Sequence, residues 1–317
     1  MSFDLILING HVMTGSNEIP TLMDIGIKDG KIISIGKLKK ELSVKTVDCS
    51  NLVILPGVID TQVHFRDPGL THKEDIESGS KSAVMGGITA FCEMPNTKPL
   101  TISEYELNSK IKKSEKVSWC DFAFFVGATS KNISNLNIYE KLPGCAGVKI
   151  FMGSSTGELL VHDDEMLLKI MEHGSRRVAV HAEDEERLKD RFKFYNKYND
   201  AGYHPIWRDP KSALLATKRI MDIANQANRP LHILHISSAL EMKLLQGKSS
   251  LISVEVTPQH LTLYSPECYN KLGTFAQMNP PIRSKYHQKE LWKGIKNGTV
   301  DVIGSDHAPH TIEEKQK

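Results

Sequence analysis

The sequence predicts an α/β chain, a closed (β/α)8 barrel preceded by a small β-rich layer, on three observations. Apolar runs separated by helical stretches recur eight times after Pro56-Gly57. Residues 1–55 read instead as strands and hairpins. Two of the apolar runs, Val58-Ile59-Asp60-Thr61-Gln62-Val63 and Val300-Asp301-Val302-Ile303-Gly304, lead straight into chemically competent groups, His64 to Asp67 and Asp306 to His310. Strands alternating with helices imply parallel β/α units, eight such units imply closure, and the C-terminal strand ends of such a barrel are where its chemistry gathers. At 317 residues and 40% hydrophobic composition the chain can bury a core of that size.

In the β-rich layer, 1–55, Leu5-Ile6-Leu7-Ile8 leads to a turn expected at Asn9-Gly10. Ile25-Gly26-Ile27 and Ile32-Ile33-Ser34-Ile35 flank the hairpin signal Asp29-Gly30. In the barrel, 56–317, strands are expected at 57–63, 88–94, 121–127, 146–151, 177–181, 230–235, 252–257 and 300–305. Caps support the helices between them: Asp163-Asp164-Glu165 supplies an acidic first turn before Met166-Leu167-Leu168. The eighth strand finishes near Gly304, about a dozen residues remain, and Thr311 to Lys317 is too short for an eighth helix and a return to the β layer. The expectation is that a C-terminal part is missing and that the first and eighth strands keep uncovered apolar surface.

Composition narrows the function classes. Forty Lys and Arg against 38 Asp and Glu give a formal charge of +2, and the charges are interspersed, which argues against nucleic acid or an anionic membrane as partner. The clusters Lys37 to Lys40 and Lys110 to Lys116 are expected to be solvated faces. Five cysteines, odd in number, scattered and never paired as C-x-x-C, point to a reduced compartment and no cysteine zinc site. No apolar stretch reaches the roughly 18 residues of a membrane span, and the N-terminus has no signal-peptide pattern. A cytoplasmic enzyme is expected.

On the barrel reading, His64, Lys149, His181, His235 and Asp306 converge from the ends of strands 1, 4, 5, 6 and 8. Three imidazoles, a carboxylate and a lysine suit zinc or a similar divalent ion with open coordination positions. A lone histidine is more often a surface or hydrogen-bonded core residue, but an unpaired imidazole closing a buried strand is costly, and His181 and His235 both do so. His232 has the opposite register to His235, so one of the two is expected to face the helices. Lys149, in Gly147-Val148-Lys149-Ile150-Phe151, is too deep in a strand to snorkel. Desolvation favours its neutral amine, which can add CO2 to form a carbamate that bridges two metals.

These segments, PGVIDTQVHFRDPG (56–69), EMPNT (93–97), GVKIFMGSSTG (147–157), VHAE (180–183), LHILHIS (231–237), MNPPIRS (278–284) and SDHAPHT (305–311), resemble in order the dihydroorotases of the amidohydrolase superfamily. The resemblance implies a metal-dependent barrel with a small β-sandwich made from both chain ends, and Zn2+, one or two per subunit. Motif by motif it puts His64, carboxylated Lys149, His181, His235 and Asp306 on metal ligands and Arg66, Asn96, Asn279 and His310 on substrate contacts. Gln62 stands where the family's Asp-x-His-x-His motif has its first histidine, and a neutral amide oxygen is a poor zinc ligand.

The activity so implied is reversible hydrolysis of the cyclic amide of dihydroorotate to N-carbamoyl-L-aspartate in pyrimidine synthesis, with Asp306 moving the proton. Arg66 would grip the substrate carboxylate bidentately, against a competing salt bridge with Asp67 or Asp75. The resemblance leaves room for a homodimer and for association with aspartate transcarbamoylase. Two other readings stand beside it: a hydantoinase- or allantoinase-like cyclic amidohydrolase, and a silent subunit scaffolding aspartate transcarbamoylase. Gln62 keeps the second alive. Lys149, His181, His235 and Asp306 together weigh against it.

Overall fold

The computed structural model describes residues 2–15, 19–38, 43–153, 157–198 and 200–316, which fall into two compact units, Met1–Val58 and Ile59–Lys317, where the sequence suggested a division after residue 55. Lys39, Lys40 and Ser154 to Thr156 of the segments singled out above lie outside the described residues.

The first unit is a sheet of β1 (Phe3–Val12), β2 (Thr21–Lys28), β3 (Lys31–Gly36), β4 (Ser43–Asp48) and β5 (Val53–Ile54), in the order β3-β2-β1-β4, with β5 also paired to β1. Asp29 and Gly30 link β2 to β3 with φ of 50° and 70°, the left-handed pair whose twist matches that of the strands it joins. The turn expected at Asn9-Gly10 is a bulge instead: β1 runs through it, with a register shift against β2 between Leu7 and Gly10 and Asn9 at φ 60°. Asn9 is left-handed but Gly10 is not, so the left-handed pair of a type I′ turn is missing and the extra residue bends the strand instead. Phe3, Ile6 and Ile8 form the buried cluster of this unit.

The second unit carries eight strands hydrogen-bonded in chain order: β6 (Val58–Val63), β7 (Ile88–Glu93), β8 (Asp121–Gly127), β9 (Cys145–Phe151), β10 (Val178–His181), β11 (Leu231–Ile233), β12 (Ile252–Val256) and β13 (Val302–Ile303). Each matches an expected strand to within a few residues. The seam between β13 and β6 is thin: a bridge between Val63 and His307, with His64 N donating to His307 O at 2.7 Å and Ser305 N to the Asp60 carboxylate at 3.0 Å. Ile59 and Ile303, on the two seam strands, are 55% and 53% exposed.

Strand alternation sorts the side chains. Phe65, Phe91, Phe124, Val126, Val148, Ile150, Val178, Val180, Leu231, Ile233, Val254 and Val256 join the main core against the helices. The residues of opposite parity, Met94, Phe125, Ala179 and Leu234, pack with each other inside the barrel. Parity therefore turns Gln62, His64, Lys149 and His181 inward. The helices are set by their caps: Asp163 accepts from Met166 N ahead of Asp164–Glu172, Asp209 from Ser212 N ahead of Pro210–Gln226, and Ser238 with Glu241 forms a capping box.

Two expectations are corrected. Lys110 is not on a solvated face: its buried ammonium stands 2.6 Å from Glu93 Oε2, an ion contact without a well-aligned hydrogen bond, and burial raises the Glu93 carboxyl to about 7. His232 does not face the helices. It shares the inward register of Ala179 and Ser253 and contacts Ser253 Oγ at 2.8 Å, while His235 lies past the end of β11 at φ 38°, where alternation no longer applies. All five cysteines are free, and among the described residues no helix is long and apolar enough to cross a membrane.

Candidate active site

A cavity of about 660 Å3 opens at the C-terminal strand ends and gathers every residue the sequence nominated. Gln62, His64, Arg66, Asn96, Lys149, His181, His235, Asn279, Asp306 and His310 all line it, with Tyr195, His204, Trp207 and Phe275 forming an aromatic wall. Arg66, His235 and Asp306 have φ of 65°, 38° and 48°. Three non-glycine residues in the left-handed region at one site represent backbone strain held by the surrounding fold.

The donors stand in two pairs. On one side His64 Nε2 is 3.2 Å from Asp306 Oδ1, Gln62 Nε2 donates to the same carboxylate oxygen at 2.9 Å, and His64 Nδ1 contacts Asn96 Oδ1 at 2.7 Å. On the other His181 Nδ1 faces His235 Nε2 at 3.0 Å, and His181 Nε2 contacts Glu183 Oε2 at 2.9 Å. Burial would raise the Glu183 carboxyl, but the Arg208 guanidinium and the His181 hydrogen bond drive it far below its ordinary value. An ionised Glu183 can only accept, so His181 carries its proton on Nε2 and turns a bare Nδ1 toward His235. Burial lowers the pKa of both imidazoles, reinforced at His235 by His181 and Lys149.

Lys149 is 1% exposed, its Nζ has no hydrogen-bond partner, and burial brings its pKa down to about 7. The ammonium–aromatic contact to Phe151, 4.4 Å to the ring centroid, leaves the amine without an acceptor. Gln62 Oε1 is likewise buried and unpartnered.

A cationic group occupies the mouth. Arg66 Nε donates to Pro309 O at 3.1 Å and Arg66 Nη2 to His310 Nε2 at 3.3 Å. The competing salt bridges are not formed: Asp67 binds Lys113 at 2.6 Å and Asp75 caps the helix Ile76–Met85. Burial, then the charges of Arg66 and Lys73, lowers the pKa of His310.

The amidohydrolase family model matches residues 53–314. The chain is 36% identical over 315 residues to a dihydroorotase of Pyrococcus abyssi, covering 98% of this chain and 68% of that protein. The chain belongs to the amidohydrolase family. A dihydroorotase of Pyrococcus furiosus is 38% identical over 297 residues, 92% of this chain and 64% of its own length, so this amidohydrolase spans about two thirds of such relatives. Among solved structures the L-hydantoinase (dihydropyrimidinase) of Arthrobacter aurescens superposes with a TM-score of 0.89 at 26% identity, covering 99% of this chain and 71% of that one.

Family membership implies a metal-dependent enzyme, and the residues of this amidohydrolase fit one. Among the described residues no three His, Cys, Asp or Glu side chains gather on one point. The two pairs need further donors, and Lys149 and Gln62, residue types outside that group, each have a buried atom without a hydrogen-bond partner. Two nitrogens on one tetrahedral zinc stand roughly 3.3 Å apart, close to the His181–His235 separation of 3.0 Å. An unpartnered amine beside bare imidazole nitrogens costs stability unless a cation or carbamate completes the set.

Sequence reading missed Glu183, Arg208 and His204. Glu183 had a signal, a carboxylate two residues past a nominated histidine on a strand exit. His204 opens, and Arg208 caps, the four-residue helix His204–Trp207 between two long helices, too short a stretch for periodicity to mark them.

Proposed function

We propose that this chain hydrolyses the cyclic amide of dihydroorotate reversibly to N-carbamoyl-L-aspartate, as an enzyme of pyrimidine synthesis using zinc. His181, His235 and Lys149 as its carbamate would hold one ion, and His64, Asp306 and the same carbamate, with Gln62 in place of the usual histidine, would hold a second. Such an ion polarises the amide carbonyl and lowers the pKa of water. Asp306 then receives the proton of the attacking water and returns it to the leaving ring nitrogen, the two-way transfer that reversibility requires.

The observation that carries the reading is the cationic clamp. Arg66, buried and fixed by Pro309 O and by His310 Nε2, which accepts from Nη2, keeps its Nη1 hydrogens at the cavity mouth for the substrate carboxylate. Asn96 accepts from His64 through its oxygen, which leaves its amide N–H groups for the same carboxylate. A hydantoinase reading has one observation in its favour, the A. aurescens superposition. An uncharged hydantoin, however, makes no use of a buried guanidinium. Among scaffold readings, the desolvated Lys149 has no structural purpose.

Turnover of the metal-loaded protein on dihydroorotate, dihydrouracil, hydantoin and allantoin tests this. The expected result is strong preference for dihydroorotate. Equal or better rates on the uncharged rings would replace the proposal with the hydantoinase reading.

A further inference from the structure

Asn279 is a nominated substrate contact whose side chain is held by a residue from the connection after β10. Its Oδ1 lies 3.1 Å from His204 Nε2, and among the described residues this is the hydrogen bond that fixes the amide. His204 sits at the start of the short helix His204–Trp207, after the long helix Glu185–Tyr198 that follows β10. It is 6% exposed and lines the cavity. Its ring packs edge to face on Tyr195 and Trp207, with centroids 6.1 and 5.8 Å away. An imidazole packed this way has little freedom to turn.

The backbone carrying Asn279 has braces of its own, two of which, from His260 and Lys315, involve neither His204 nor the rings packed on it. His260 Nε2 donates to Pro280 O at 3.0 Å, Gln277 Nε2 donates to Tyr195 Oη at 3.1 Å, and Lys315 Nζ donates to Gln277 O at 2.8 Å. Loss of His204 would therefore free the Asn279 amide without releasing its loop.

We infer that His204 is a positioning residue that engages the Asn279 amide oxygen and thereby presents the Asn279 N–H groups to the cavity, so that this wall selects a ring carrying a hydrogen-bond acceptor there. An amide oxygen only accepts, so the His204 proton belongs on Nε2, and Nδ1, buried and unpartnered, is the bare nitrogen. Burial, with the nearby Arg208 charge, brings the His204 pKa down to about 3, so the imidazole remains a neutral single donor across the working pH range. An unanchored asparagine turns its oxygen toward the ligand about as readily as its nitrogen, and a carbonyl or carboxylate facing that oxygen is repelled.

The inference rests on the functional reading above. Its test is steady-state kinetics on dihydroorotate with the metal-loaded wild type, His204→Leu, His204→Gln, Asn279→Ala and the His204→Leu/Asn279→Ala double variant, alongside metal content and thermal midpoint. His204→Leu is expected to raise KM about tenfold with kcat changed far less, the pattern of a lost binding contact. His204→Gln, whose terminal amide nitrogen reaches the place of Nε2, is expected to recover most of the loss even if the leucine variant folds poorly. In the Asn279→Ala background the leucine should add little, because its effect passes through Asn279. Wild-type turnover with KM unchanged in His204→Leu, a glutamine variant no better than leucine, or losses that multiply in the double variant would each overturn the inference and leave the functional reading standing. A wild type inert toward dihydroorotate would remove the functional reading, and this inference with it.

Discussion

At the scale of the residue, the site is a set of side chains whose free atoms matter more than their bonded ones. Asp306 accepts from Gln62 and sits 3.2 Å from His64 in left-handed backbone. Asparagine tolerates that backbone as aspartate does, so Asp306→Asn should fold normally while losing the proton shuttle and loosening the ion position shared with His64. A drop in kcat of about 100-fold or more is expected at an unchanged thermal midpoint; near-normal kcat would remove Asp306 from the proton path. Arg66→Lys keeps the charge but cannot keep both Pro309 O and a carboxylate in one planar grip, and KM for dihydroorotate should rise about tenfold. If the lysine variant still prefers dihydroorotate to dihydrouracil, the clamp lies elsewhere. The candidate site was legible in the sequence wherever a strand exit delivered the residue, because alternation and strand-end position are one-dimensional properties: His64, Lys149 and His181 follow from parity. His235 follows from its place at the end of an apolar run and not from alternation, since a positive φ carries it past the strand. His204 and Arg208 come from a single short helical turn between long helices, and only three-dimensional packing reveals them.

At the scale of the element, the connections after β6 and β7 are one structure. Gly69, at φ 88°, lies so close to the second loop that a Cβ there would stand 2.0 Å from Lys98 O, and Lys98 N donates back to Pro68 O at 3.0 Å. Arg66 is on the first of these loops and Asn96 on the second. Gly69→Ala imposes a disfavoured φ and a backbone clash together, so a loss of about 1–3 kcal/mol is expected in denaturant unfolding. It should come with weaker dihydroorotate binding, because the two substrate contacts separate. Unchanged stability would mean that the loops yield at no cost. The barrel strands were readable because parallel strands buried on both faces are continuous apolar runs. Asn9 was misread because a local turn signal cannot distinguish one extra residue in a strand from a reversal. Lys110 was misread because the partner that buries it, Glu93, belongs to another element.

At the scale of the whole molecule, Gln62 decides how the two halves of the site differ. With a neutral amide in place of an imidazole, the ion position served by His64 and Asp306 should be the looser, and chelator titration of the metal-loaded protein should proceed in two steps. Gln62→His should tighten the loose step alone; release in one step from both proteins would make Gln62 irrelevant to metal binding. Gln62 and His64 stand on one side of the thin β13–β6 seam and Asp306 on the other, and few backbone hydrogen bonds hold that seam shut. An ion bound by both sides is thus a rivet across the weakest line of the barrel, and binding free energy becomes resistance to opening there. The amide protons of His64 and Ser305, which bond across the seam, should then exchange with deuterium more slowly when metal is added, while those of β8, which carries no proposed ligand, exchange at the same rate with and without it.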